Sequence, residues 1–115
     1  MDSRIIYESA KTYIKNVTWT KPLNSVDTEW EYIDTTNNIE NITKTIQDFL
    51  ITDQLFIALS RHESFETDKE LIADKIRPLI GKTDFSIWNF SFQKVIEFNK
   101  IGVFRKGDTF SHAHQ

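Results

Sequence analysis

Leu55-Phe56-Ile57-Ala58-Leu59, the run LFIAL at positions 55–59, is apolar at every position and stands between Gln54 and Ser60. A helix on a protein surface spaces its apolar residues three or four apart. A short run with no polar face is instead the pattern of a strand buried on both sides. Such a strand needs other elements on both faces of its sheet, so the flanking sequence is expected to supply helices.

Upstream, Ile39, Ile42, Ile46, Phe49 and Leu50 recur at helical spacing, which predicts a helix over about residues 38–51. The polar turn Thr35-Thr36-Asn37-Asn38 before it offers good N-cap side chains. Residues 28–34 read as a first strand with Trp30 and Tyr32 inward. Before the break at Lys21-Pro22, residues Ile6, Ala10, Tyr13, Ile14 and Val17 predict a helix over 3–17, capped by Asp2 or Ser3.

Downstream, Arg61-His62-Glu63-Ser64 is a polar exit from the run. Thr67-Asp68-Lys69-Glu70 has the form of a capping box, with Leu71, Ile72, Ile76, Leu79 and Ile80 as the buried stripe of a third helix. Pro78 should loosen that helix and Gly81 should end it. Phe85, Ile87 and Trp88 begin another strand, and Val95-Ile96-Glu97-Phe98 is the next. Ile101-Gly102-Val103-Phe104 is either a further strand or a continuation through a bulge at Gly102. The order α-β-α-β-α-β-β predicts an α+β fold: one small mixed sheet with packed helices, right-handed crossovers and a C-terminal β-hairpin. LFIAL should be its central strand, and residues 107–115 a flexible tail.

The 115 residues, 39% hydrophobic and 13% aromatic, suffice for one domain with one core. Three glycines and two prolines leave little for long linkers. A net charge of −3 argues against general nucleic-acid binding, which rests on Lys and Arg neutralising phosphate. The absence of cysteine removes disulfides, thiolate metal sites and cysteine nucleophiles. MDSRIIYESAKTY has no signal-peptide pattern and no run is long enough to cross a membrane, so a cytoplasmic location is expected. The glycosylation triplets at Asn16, Asn41 and Asn89 are then chance matches. No catalytic signature and no phosphate-binding glycine loop is present, and no cofactor is expected.

In VDTEWEYID, residues 26–34, carboxylates alternate with aromatic rings. Extended, this segment lines Asp27, Glu29 and Glu31 along one face. With Asp34 and Glu40 they form a candidate acidic docking surface for a basic partner, the alternative being an ordinary solvated strand face. The C-terminal third is richer in Lys and Arg, with Trp88, Phe90 and Phe92 as rings that could stack on bases only if exposed. His112 and His114 lack a fixed third ligand, so no metal site is expected. Arg61 and His62, at the end of the apolar strand, are a candidate small-ligand or general-base site together with Glu63.

The segments ITDQLFIAL (51–59), GKTDFSIWNF (81–90) and KVIEFNKIGVFRKG (94–107) resemble the general pattern of small immunity proteins of bacterial polymorphic-toxin and contact-dependent growth inhibition systems. The shared style is a short buried strand, a capped helix and an aromatic-rich hairpin, over about residues 28–106. The resemblance implies a single-domain α+β protein that binds a cognate toxin and blocks it. Should that toxin be a nuclease, Asp27, Glu29, Glu31, Asp34 and Glu40 would imitate phosphates in its basic cleft. Two other roles fit the sequence: an enzyme or small-ligand binder at Arg61-His62-Glu63, and a phage-derived or structural homodimer extending its sheet through the last strand.

Overall fold

Leu55, Phe56, Ile57 and Ala58 are all buried, and they are buried against different partners on the two sides of a sheet. The computed structural model describes residues 1–23, 28–33 and 39–109. Its elements are α1 (Ser3–Tyr13), β1 (Thr18–Trp19), β2 (Glu31–Tyr32), α2 (Glu40–Phe49), β3 (Gln54–Ala58), β4 (Phe65–Asp68), α3 (Ile72–Ile76), β5 (Phe85–Asn89), β6 (Lys94–Asn99) and β7 (Val103–Asp108). The fold is α+β: three helices and a seven-stranded sheet in the order β1-β7-β6-β5-β3-β4, with β2 also paired to β7.

Every described pairing is antiparallel, so the expected crossovers have no counterpart. The apolar run does not lead into a crossover helix. It turns back at residues 60–64 to pair with β4, a strand that the Thr67–Glu70 pattern disguises as a helix cap. Thr67 is buried opposite Leu55, and its hydroxyl donates to the Asp68 carbonyl at 3.3 Å instead of capping a helix. A 3-10 turn at Lys69–Leu71 precedes α3. LFIAL is interior but not central: β5 and β6 hold the middle of the sheet, and all five residues of β5 are buried.

Alternation sorts the two cores. On one face Leu55, Ile57, Phe85, Ile87, Ile96, Phe98 and Phe104 meet Ile42, Ile46, Ile72 and Ile76 of α2 and α3. On the other, Phe56, Ala58, Trp88 and Val95 meet Ile6 and Ala10 of α1. The Asp2 carboxylate caps α1 by accepting from the Ile5 amide at 2.9 Å, as its sequence predicts. Gly102 has φ +97 in the turn between β6 and β7, which makes Val103–Asp108 a separate strand and not a bulged continuation.

Three expectations fail at the far side of the sheet. Gly107 and Asp108 belong to β7, and Asp108 pairs with Lys94 at 2.9 Å, so the ordered chain extends beyond the predicted tail boundary. Because β7 carries β6 on one side and β1 and β2 on the other, the last strand offers no free edge for dimerisation. Tyr32 faces outward with 88% of its surface exposed, opposite to its predicted phase. Among the described residues the sheet ends at β4 on one side and at the two-residue strands β1 and β2 on the other.

Candidate functional site

The acidic segment meets the sheet at Arg105. This β7 side chain lies between two indoles, its guanidinium carbon 3.8 Å from the Trp19 ring centre and 4.5 Å from that of Trp30. Its Nε donates to Glu97 at 2.7 Å and its Nη1 to Glu29 at 3.1 Å. Register explains the convergence. Glu97 is directly opposite Arg105 across β6 and β7, Trp19 is opposite the neighbouring Gly107, and β2 brings Trp30 and Glu29 alongside. A planar guanidinium can stack on both faces while its edge binds carboxylates. Arg105 is 21% exposed and fully engaged, which makes it a clamp holding β1 and the segment before β2 onto the sheet.

That clamp corrects the acidic-face expectation. Glu29 is consumed in an internal ion pair and is not available as one of a row of free carboxylates. Glu31 is half-buried in β2 opposite Phe104, and Glu40 is exposed at the start of α2. Asp27 and Asp34 lie outside the described residues, as do His112 and His114. Among the described members of the predicted row, Glu29 is neutralised within the chain.

Arg61, His62 and Glu63 form an exposed turn between β3 and β4. The turn is tied down: the Arg61 carbonyl accepts from the Ser3 hydroxyl at 2.8 Å, the Glu63 amide donates to the Ser60 carbonyl at 3.3 Å, and the Ser60 hydroxyl donates to the Glu63 carboxylate at 3.1 Å. Arg61 lines an open depression of about 410 Å³ with Arg4, Ile5, Glu8 and Ser9, and His62 is not among the lining residues. The strand-end argument for a ligand site applies to parallel α/β sheets. It loses its basis where β3 runs antiparallel to both neighbours.

A different place concentrates exposed negative charge. Where α2 runs into β3 and β4 runs into its 3-10 turn, Gln47, Asp53, Gln54, Asp68, Lys69 and Glu70 line an open groove of about 510 Å³. Three carboxylates line it with one cation, and the Lys69 ammonium donates to the carbonyl of Gln47, another lining residue, at 3.2 Å. The groove is braced from below. The Lys69 amide donates to the Asp53 carbonyl at 2.8 Å, Gln54 donates to Asp68, and Thr52 receives the Phe90 amide at 3.0 Å. Ile51, two residues from Asp53, is 68% exposed, and Leu71, beside Glu70, is 44% exposed. Sequence reasoning missed this groove because Thr67-Asp68-Lys69-Glu70 reads as a local cap and Asp53 as a lone loop residue.

A second, smaller cleft of about 170 Å³ lies between α1 and the sheet, over the small side chains of Ala58 and Ser86 and beside Glu97. The Ser86 hydroxyl there accepts from the Trp88 indole at 2.8 Å. Among the described residues no group of three or more His, Asp or Glu side chains could hold a metal ion, and no helix is long and apolar enough to cross a membrane. Comparison of the chain with protein-family models, with curated proteins and with solved structures gives no match.

Proposed function

We propose that the protein is a protein-binding module of the immunity type, which neutralises a cognate toxin by covering the toxin's active site with an acidic surface. One observation carries this reading: the groove where Asp53, Asp68 and Glu70 outnumber the single cation Lys69, with Ile51 and Leu71 exposed nearby in the chain. Carboxylates in solvent steer a basic partner and select it, and apolar side chains beside them supply contact area. We assign the partner-binding surface to this groove because Glu29, a member of the predicted row, is neutralised by Arg105. A nuclease with a basic cleft fits such a surface.

The test begins with capture from the native host on the immobilised chain. The captured protein, expressed alone, should arrest growth, and co-expression of this chain should restore it. The triple variant Asp53→Asn, Asp68→Asn, Glu70→Gln should keep its thermal midpoint and lose capture. A captured partner that does not arrest growth overturns the inhibitor role. Capture undiminished in the triple variant overturns the assigned surface.

A further inference from the structure

Strand β4 (Phe65–Asp68) ends the sheet, with no strand on its outer side among the described residues. Its register shows which backbone groups face outward. The Lys69 amide donates to the Asp53 carbonyl at 2.8 Å, so the 53/69 position is a hydrogen-bonded one. Bonded and non-bonded positions alternate in an antiparallel ladder, which makes Leu55/Thr67 and Ile57/Phe65 the next bonded pairs. The N–H and C=O groups of Glu66 and Asp68 therefore point away from β3.

The side chains on this edge have a consistent character. Glu66 and Asp68 are exposed, while Thr67 between them is buried. Glu66 receives the N-terminal ammonium at 3.3 Å, so this edge already holds one cation. At its C-terminal end the strand opens into the groove of Asp53, Asp68 and Glu70. A second copy pairing antiparallel through β4 would bring the Asp68 carboxylate and the acidic groove beside it toward the same groups of its neighbour, and like charges across strands repel. The complementary occupant is an extended segment with alternate basic side chains.

We infer that β4 is a docking edge for an extended, lysine- or arginine-bearing segment of a partner protein, which adds to the sheet as a further strand and places one basic side chain in the groove. Backbone hydrogen bonds from the Glu66 N–H and C=O and the Asp68 N–H supply the attachment, the Asp68 carbonyl being held by the Thr67 hydroxyl, and the carboxylates select the partner's charge. The inference deepens the proposed inhibitor role and rests on it for the partner's identity.

Asp68 allows a direct test. Its φ of −69 is already that of proline, the preceding Thr67 is in a strand, and its N–H faces outward. Asp68→Pro should remove an outward donor without unfolding the edge. Asp68→Asn removes the charge and keeps the donor. The probe is a synthetic peptide alternating Lys and Thr, with a version N-methylated along one edge, measured by calorimetry and by amide hydrogen exchange. The unmodified peptide should bind the wild-type chain and slow exchange at Glu66 and Asp68. Asp68→Pro should bind about tenfold more weakly than Asp68→Asn, and the methylated peptide should lose affinity for the wild-type chain by about as much. Equal binding of the two peptides overturns the inference by showing attraction of charge alone, and does so even should the proline variant fail to fold. A peptide that docks while no captured partner arrests growth leaves the edge standing and removes the inhibitor role. The reverse pair of results removes the edge and keeps the role.

Discussion

Gly107 permits a prediction whose sign is set by packing. It lies in β7 opposite Trp19 on one side and Val95 on the other. A methyl group on its α-carbon would sit 2.5 Å from the Thr18 carbonyl oxygen, 2.7 Å from Val17 Cγ1 and 3.1 Å from the Thr18 carbonyl carbon. Two of these three atoms are backbone, so no rotamer change relieves the contact and β1 must move. Moving β1 also lifts Trp19 from Arg105. Forcing a methyl into a filled site costs about 1–3 kcal/mol. Replacing glycine with alanine ordinarily stabilises by about 0.4–1 kcal/mol through the unfolded chain, so the two effects oppose. The net expectation for Gly107→Ala is a loss of about 1.3 kcal/mol at the middle of the two ranges and of about 2.6 kcal/mol at most. With an unfolding entropy of roughly 2.1 cal/mol/K per residue, a chain of this size loses about 4 °C per kcal/mol. The midpoint should therefore fall by about 5 °C, and by about 10 °C at most. Thermal unfolding followed by circular dichroism measures it, and tryptophan emission of the folded variant should shift to the red as Trp19 gains solvent. An unchanged or raised midpoint would refute the argument that β1 is pinned against Gly107.

Four further outcomes are expected. Arg105→Ala strands Glu29 and Glu97 beside two uncovered indoles, and should cost about 2–4 kcal/mol in chemical denaturation, between the values for exposed and buried ion pairs. Arg105→Lys keeps the charge but not the stacked fork, and should recover only part of that loss. Ser86→Ala leaves the buried Trp88 indole N–H without its acceptor, for a loss of about 1–3 kcal/mol in the same assay. Thr43 has a buried hydroxyl with no partner among the described residues, so Thr43→Val should be neutral or raise stability by up to about 1 kcal/mol, and a clear drop in midpoint would contradict that assignment.

The elements legible in the sequence are those whose signal is local. The 3.6-residue spacing of Ile39, Ile42, Ile46 and Leu50 locates α2, Asp2 marks the start of α1, and the unbroken LFIAL run marks a strand with two covered faces. Elements defined by partners were not legible. β1 has two residues and exists because β7 accepts it. β4 carries the polar pattern of a cap and becomes a strand because Thr67 is buried against Leu55. The phase of β2 follows its pairing with β7, which turns Tyr32 outward. The candidate site was less legible than the fold. Charge alternation in VDTEWEYID is visible locally, but its neutralisation depends on an arginine 76 residues away in the chain. The groove joins Asp53 to Asp68 and Glu70 through a hairpin that the sequence reading did not contain.

The Arg105 clamp also has a consequence for biosynthesis. Trp19 and Trp30 emerge from the ribosome long before the guanidinium that covers them, and β1 and β2 have no strand to join until β7 is made. During that interval the nascent chain carries two bare indoles and two unattached strand segments, which are targets for chaperones and proteases. Helix α1 and the β3–β4 hairpin can assemble in the meantime, so completion of the domain waits on a late closing step. A chain shortened before Val103 would remain in this open condition, with β6 as a new unprotected edge.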